Sequence, residues 1–156
     1  MVIKPALISD LNIIREITRA TVSEIYPHYY SKGAVEFFLN HHNDNNITND
    51  ISNNRVFLCV DCVDSKQVAV GTVTIKNNEI CRLFVLPVYQ GNGYGKALMD
   101  FAETKISEKY NEIKLDASLS AKTIYLKRGY KEIEYNTIKT DNGDFLCYDV
   151  MIKQIK

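Results

Sequence analysis

Three glycines at alternate positions, Gly91, Gly93 and Gly95, form the segment of this sequence best suited to bind a ligand. Glycine reaches positive φ values without strain, so such a run can turn several backbone N–H groups to one side. The loop leads into a helical pattern that begins near Tyr94, and the N-terminus of a helix carries partial positive charge. Backbone donors and this dipole together favour an anion. The sequence therefore predicts a site for a phosphate or pyrophosphate at 91–96.

Two common phosphate-binding motifs do not fit this loop. The dinucleotide fingerprint Gly-x-Gly-x-x-Gly needs glycine or alanine at its sixth position, where the two registers place Lys96 and Leu98. The P-loop needs a first glycine where the sequence has Gln90, and Ser or Thr after the lysine where it has Ala97. The loop therefore belongs to another class of phosphate site.

Four cysteines, Cys59, Cys62, Cys81 and Cys147, lie in segments with strand character. Cys59 and Cys62 have the Cys-x-x-Cys spacing of redox pairs and zinc sites. On a strand, however, residues three apart point to opposite faces, and no second pair or His-rich segment completes a tetrahedron. We therefore expect small, buried, reduced thiols and no metal.

The adjacent histidines His41 and His42 raise a second metal hypothesis. Neighbouring residues on a helix do not face one site, and no acidic or cysteine partner stands at chelating spacing. We expect both histidines to be solvated at a helix end. The aromatic cluster at 26–30 leaves two interpretations open, which are hydrophobic anchoring of a helix corner and a substrate-facing loop.

Length and charge limit the class of protein. A chain of 156 residues is most simply one domain spanning 1–156, and 46% of it is hydrophobic. Lys plus Arg equals Asp plus Glu at 19 each, so no net field draws the chain to nucleic acid or to a membrane. The apolar run Val56 to Val60 is far shorter than the roughly 20 residues that span a bilayer. Because the first residues, Met1 to Pro5, lack the apolar region of a secretory signal, we expect a cytoplasmic protein.

Hydrophobic periodicity predicts an α/β chain in which strands and helices position the glycine loop. Strands are expected at 2–7, 55–63, 67–76, 80–86, 112–117, 130–139 and 145–153. Helices are expected at 11–25, 31–39, 94–110 and 121–128, with a short helical turn at 47–51. The second to fourth strands form an antiparallel meander, and a right-handed crossover sets 112–117 parallel to 80–86.

Two segments of the chain resemble the GNAT superfamily of N-acetyltransferases. Gln90 to Gly95 has the pattern Gln-x-x-Gly-x-Gly, which is similar to the acetyl-CoA signature of that family. The likeness continues through Leu83 to Leu98 and again from Ala117 to Tyr130. It implies the GNAT acyl-CoA N-acyltransferase fold, with a central mixed, mostly antiparallel sheet of about seven strands and helices on both faces.

The resemblance implies acetyl-CoA as cosubstrate and no metal. The pyrophosphate would lie on the loop residues Gln90, Gly91, Asn92, Gly93, Tyr94, Gly95 and Lys96. The pantetheine arm would pair with the main chain of Leu83, Phe84 and Val85, where the family's strand splays from its parallel neighbour. Ser118 would lie near the pantetheine amides, or alternatively cap the following helix. Lys96 has an alternative interpretation as a solvated lysine.

The resemblance also implies the chemistry, which is direct attack of an amine on a thioester. Tyr125 matches the family's general acid, which protonates the leaving thiolate, and its alternative interpretation is a packing tyrosine. Glu79 matches the general base of the histone-acetylating branch, although ordered water or a merely solvated glutamate are alternatives.

The implied acceptor is the primary amine of a small molecule or a peptide, with no nucleic acid or membrane partner. A homodimer is compatible with the resemblance. The competing interpretations are a non-catalytic acyl-CoA-binding or interaction module, and transfer of a longer acyl group.

Overall fold

Seven strands form one mixed sheet in the computed structural model, which describes residues 1–155. In chain order the strands are β1 (Val2–Pro5), β2 (Val56–Val63), β3 (Lys66–Lys76), β4 (Glu79–Val85), β5 (Glu112–Ala117), β6 (Lys131–Lys139) and β7 (Phe145–Gln154). Their spatial order is β1-β2-β3-β4-β5-β7-β6, and only β4 and β5 are parallel. The predicted mixed sheet of seven strands is confirmed.

Five α-helices connect and cover the strands. They are α1 (Leu11–Ile25), α2 (Lys32–His41), α3 (Asp44–Ser52), α4 (Tyr94–Ser107) and α5 (Lys122–Lys127). The expected short turn at 47–51 is a full helix, because the Asn43 side chain accepts a hydrogen bond from the Asn46 N–H at 2.9 Å and starts it earlier. No helix within residues 1–155 is long and apolar enough to cross a membrane.

The two faces of the sheet carry separate hydrophobic clusters. On one face α4 buries Leu98, Met99, Ala102 and Ile106 against the strands. On the other face α1 and α3 pack their apolar residues against a cluster that includes Phe84. Each fully buried aliphatic side chain contributes about 1.5–3 kcal/mol, so these clusters fix the positions of the helices on the sheet. Helices on both faces are thus confirmed.

A β-bulge separates the two halves of the sheet. β4 and β5 pair only at Glu79 with Lys114 and at Ile80 with Leu115. Directly after that point Cys81 has no partner in β3, since the register shifts by one residue there. A bulge bends its strand and increases its twist, which turns the rest of β4 away from β5. The predicted splaying of these two strands is present.

The expectation that all four cysteines are buried is wrong. All four are free thiols, but only Cys59 is buried, whereas Cys62 and Cys81 are exposed and Cys147 is half-buried. Cys62 lies near the C-terminal end of β2, beside the turn to β3. Cys81 is the bulged residue where β4 separates from β5. Neither position is covered by the hydrophobic clusters.

Candidate functional site

A cavity of about 680 Å³ occupies the gap where β4 leaves β5. It runs from the glycine loop at one end to α2 and β7 at the other. The predicted site residues that line it are Leu83, Phe84, Val85, Gln90, Gly91, Gly95, Lys96, Ser118 and Tyr125. The two segments that the sequence singled out therefore meet at one site.

The glycine loop presents unpaired backbone donors to this cavity. Gly91 and Gly93 have φ values of 81° and 85°, a conformation that other residues adopt only at a cost. The first helical hydrogen bond of α4 runs from the Ala97 N–H to the Gly93 carbonyl at 3.0 Å, and no side chain caps the helix. The N–H groups at 94–96 therefore have no intrahelical acceptor and are free to bind an anion.

The side chains of Gln90, Asn92 and Tyr94 make hydrogen bonds within the protein that hold the loop in place. The Gln90 amide donates to the Val85 carbonyl at 3.0 Å. The Asn92 amide donates to two carbonyls of the loop itself at 3.2 and 3.3 Å. The Tyr94 hydroxyl lies 3.0 Å from a carboxylate oxygen of Asp61 on β2. These bonds hold the loop in the shape that its glycines permit.

Cations surround the outer end of the cavity. Lys96 lines the cavity, its Nζ lies 2.7 Å from Asp100 Oδ2 and its side chain is 75% exposed. A role of Lys96 in binding phosphate stays a prediction. Arg128, at the end of α5, binds Asp100 at 2.7 Å and Glu103 at 3.0 Å. Hydrogen bonds from Lys96 and Arg128 lower the pKa of Asp100. These contacts join α4 to α5 beside the loop.

Along β4, the N–H and carbonyl groups of successive residues point alternately towards β3 and towards the gap beside β5. The Leu86 N–H donates to the Val70 carbonyl at 2.9 Å, so the groups of Phe84, two residues earlier, also face β3. Those of Leu83 and Val85 face the gap, where β5 no longer pairs. The binding of pantetheine by the Phe84 main chain stays a prediction that this register does not support, although the Phe84 side chain lines the cavity.

Val85 is available only through its N–H group. Its carbonyl accepts hydrogen bonds from the Gln90 amide at 3.0 Å and from Thr21 Oγ1 at 3.1 Å. Leu83 has no such side-chain partner. The N–H and carbonyl of Leu83, with the Val85 N–H, are thus the strand groups that an extended ligand in the gap would meet.

Tyr125 and Ser118 form the opposite wall. The Tyr125 ring packs edge-on against Tyr130 at 5.8 Å, and its hydroxyl makes no hydrogen bond to any residue within 1–155. Burial raises the pKa of Tyr125, so the hydroxyl keeps its proton at neutral pH. The Ser118 hydroxyl lies 3.0 Å from that of Ser120 and does not cap α5. The capping interpretation of Ser118 is therefore wrong.

Glu79 does not line the cavity. It pairs with Lys114 in the closed part of the sheet, upstream of the bulge at Cys81. Its assignment as a base stays a prediction that this placement does not support.

His42 is a site residue that the sequence analysis placed wrongly in solvent. It lies on the cavity wall, stacked on Phe38 at 6.4 Å and edge-on to Phe84 at 5.5 Å. Burial, with smaller effects of Arg82 and His41, lowers the pKa of His42 to about 3. Its Nδ1 atom is buried without a hydrogen-bond partner. A neutral imidazole therefore lines the site, with its Nδ1 atom enclosed by the protein.

Asp116 is a second lining residue that the sequence analysis missed. Its neighbours Leu115 and Ala117 are buried, so a polar residue between them marks the open face of β5, which is the signal that could have revealed it. Burial raises the pKa of Asp116, and Glu134 acts in the same direction, while Lys114 and His41 oppose them. Asp116 makes no ion pair or hydrogen bond within the described residues.

The aromatic cluster at 26–30 serves both interpretations that the sequence left open. Tyr26 is buried against Phe38 and also lines the cavity. The Tyr30 hydroxyl accepts from the Leu119 N–H at 2.7 Å and donates to the Cys147 carbonyl at 3.2 Å. The cluster thus anchors the helix corner to the far half of the sheet. Within residues 1–155 there is no group of three or more His, Cys, Asp or Glu that could hold a metal ion.

The fold and this site together are those of an acetyltransferase. A family model described as an acetyltransferase (GNAT) domain matches residues 25–147, and the chain therefore belongs to the GNAT acetyltransferase family. The comparison with curated proteins gave no significant match.

Solved structures with the same fold include three acetyltransferases. The GCN5-related N-acetyltransferase of Rhodopseudomonas palustris is 24% identical, with a TM-score of 0.87 and coverage of 98% of this chain and 94% of that one. The PaiA N-acetyltransferase of Thermoplasma acidophilum, in complex with coenzyme A, is 25% identical with a TM-score of 0.69, and 98% of each chain is covered. The putative acetyltransferase YncA of Salmonella typhimurium, with acetyl-CoA, is 15% identical with a TM-score of 0.73, covering 100% of this chain and 94% of that one.

Proposed function

We propose that this acetyltransferase is an N-acetyltransferase that moves the acetyl group of acetyl-CoA to a primary amine by direct attack on the thioester. The observation that carries the proposal is the gap between β4 and β5, which has free strand groups on one side and Tyr125 on the other. A glycine loop with unpaired N–H groups closes one end. An extended cofactor with a pyrophosphate matches this arrangement in length and in chemistry.

The residues that would hold acetyl-CoA follow from their free groups. The N–H groups at 94–96 and the open loop around Gly91 would take the pyrophosphate, because an added Cβ at Gly91 or Gly93 meets no atom within 4 Å. Leu83 would pair with the pantetheine arm in the way an added strand pairs with an open edge. Ser118 lines the same cavity and would lie near the pantetheine amides. When bound, acetyl-CoA supplies the acetyl thioester that an amine attacks.

Tyr125 would serve the leaving group. As the C–S bond breaks, sulfur takes the bonding electron pair, and the Tyr125 hydroxyl gives it a proton to form the CoA thiol. The tyrosinate recovers that proton from the nitrogen that has attacked, directly or through water, and the products are the amide and CoA. Because burial raises the pKa of Tyr125, the hydroxyl is protonated when the reaction starts. Its lack of a protein partner leaves it free for this role.

The test compares Tyr125→Phe with Tyr110→Phe, a tyrosine at the exposed end of α4. Loss of a general acid typically lowers a rate by 10²- to 10⁴-fold, so we expect kcat of Tyr125→Phe to fall about 100-fold. The Kd for CoA, measured by calorimetry, and the urea midpoint should stay unchanged. Tyr110→Phe should behave like the natural protein.

Two outcomes would contradict the proposal. Equal kcat for both variants would remove Tyr125 from the chemistry, and a joint loss of CoA binding would make its role structural. If the folded protein binds acetyl-CoA but releases no CoA thiol with any amine of a broad panel, the binding-module interpretation replaces catalysis.

A further inference from the structure

The cavity extends beyond the gap to a wall that the proposed cofactor site does not use. α2, β5 and β7 form this wall, which is lined by Phe37, His41, His42, Asp116 and Tyr148. We call it the acceptor wall, because an amine that attacks the thioester must enter from the side opposite the glycine loop. The inference below rests on the proposed function and concerns the charge of that amine.

Asp116 lies at the centre of the acceptor wall. It stands opposite Val150 of β7, and Val150 in turn stands opposite Glu134 of β6. Residues that are paired across strands share a face, and Tyr148 is on the same face because it is two residues from Val150. Two carboxylates and a phenol therefore lie side by side on the open face of the sheet.

No described cation neutralises these two carboxylates by an ion pair. Lys122, the basic residue nearest to them on α5, is bound to Glu132 at 3.0 Å and to Asp149 at 2.8 Å. Lys114 shares the open face, two residues from Asp116 on β5, and it partly offsets the two negative charges. Asp116 itself lines the cavity, whereas Lys114 does not.

The arginines that line the cavity are already engaged elsewhere. Arg82 is buried and binds the Asp50 carboxylate and Thr74 Oγ1. Arg128 binds acidic residues of α4 at the cofactor end. Lys127, which also lines the cavity, stands next to Arg128 at the end of α5. An acceptor bearing a carboxylate would thus meet Asp116 without a free arginine to pair with.

The Tyr148 hydroxyl is a further group on the wall that can accept an N–H donor. It has no protein hydrogen bond within residues 1–155. Its ring and those of Phe37 and Phe38 supply faces on which an alkylammonium group can rest.

We propose that the acceptor is an amine that carries a second, unreacted ammonium group, and that Asp116 binds this second charge. The Asp116 carboxylate, the Tyr148 hydroxyl and the aromatic rings each suit such a cation. The same wall disfavours an amine that carries a carboxylate. Asp116 is thus a residue that determines specificity.

The test uses three acceptors of equal chain length, which are 1,4-diaminobutane, butylamine and 4-aminobutanoate. We expect kcat/KM to be at least about tenfold higher for the diamine than for butylamine, and lowest for 4-aminobutanoate. Asp116→Asn should reduce the ratio of diamine to butylamine about tenfold, mainly through KM. Glu112→Gln, a substitution at a half-buried residue on the same strand outside the cavity, should leave the ratio unchanged.

A binding measurement separates this inference from the proposed function. Calorimetry of 1,4-diaminobutane with CoA-saturated protein should give a Kd about tenfold lower than that of butylamine, and Asp116→Asn should abolish the difference. If the diamine binds more tightly in this way but no amine is acetylated, the proposed function is wrong, and the assignment of Asp116 to the second ammonium group stands. Equal binding of the two amines, a preference for 4-aminobutanoate, or an unchanged ratio in Asp116→Asn would overturn it.

Discussion

Gly95→Ala should separate the stability of the protein from its affinity for CoA. Gly95 is the second residue of α4 and has helical φ, so the backbone itself does not require glycine there. An added Cβ would meet only Val85 Cγ2, at 3.9 Å, which is ordinary van der Waals contact. The folded protein alone therefore gives no reason for a glycine at this position.

The effect of Gly95→Ala on stability and its effect on CoA affinity should be opposite, because the protein becomes more stable and binds CoA less tightly. Alanine is favoured over glycine in a helix by up to about 1 kcal/mol, which for a chain of this size corresponds to a rise in Tm of about 2–4 °C. In the cavity, the new methyl group would lie beside the N–H groups at 94–96. Loss of one hydrogen bond to a charged group costs about 1.5–3 kcal/mol, so the Kd for CoA should rise about 10- to 100-fold.

Thermal unfolding without ligand and calorimetry with CoA measure the two effects. Ala97→Gly is the matched control, because it makes the reverse change in the same helical turn at a residue that does not line the cavity. It should lower Tm and leave the Kd for CoA unchanged. A Gly95→Ala protein that binds CoA as tightly as the natural protein would refute the placement of the pyrophosphate at 94–96.

Two other predictions concern buried polar groups. His42 has a folded pKa of about 3 against 6.5 when unfolded, so its contribution to stability is fully present above pH 6.5 and is lost as the pH falls towards 3. Between pH 7.5 and 5 the free energy of unfolding, measured by urea titration, should fall by about 2 kcal/mol more in the natural protein than in His42→Phe. The control His41→Phe should show the same pH dependence as the natural protein. An equal pH dependence in all three proteins would place His42 in solvent. Asp50→Ala leaves the buried Arg82 guanidinium unpaired and should cost about 3–5 kcal/mol in urea unfolding, against about 0–1 kcal/mol for Asp44→Ala at an exposed ion pair. A similar loss in both would show that burial of Arg82 does not set the cost.

Local patterns were enough to predict the elements and the glycine loop at one end of the cavity. β5 was predicted with its observed bounds, since Ile113, Leu115 and Ala117 alternate with polar residues. The parallel pairing of β4 and β5 followed from the handedness of the crossover. The glycine pattern placed the unpaired N–H groups correctly, because positive φ and a helix start are local properties.

The acceptor wall could not be predicted, because contacts between distant segments create it. His42 leaves solvent only when α2 packs against Phe84, which is 42 residues later in the chain. Asp116 faces a cavity only because the bulge at Cys81 opens the sheet beside it. A one-residue change of register has no signature in hydrophobic periodicity. For the same reason the sequence could not show which main-chain groups of Leu83, Phe84 and Val85 face the gap.

The short pairing of β4 with β5 also bears on how the protein unfolds. Two pairs of residues join β4 directly to β5, and α4 packs against strands on both sides of the gap. In the absence of ligand the amides that border the gap have no partner strand, so they should exchange with solvent before those in β2 and β3. A cofactor that bridges the gap would cover these amides, and at 100 times its Kd it would add about 2.7 kcal/mol to stability. The amount of folded protein would then follow the supply of acetyl-CoA.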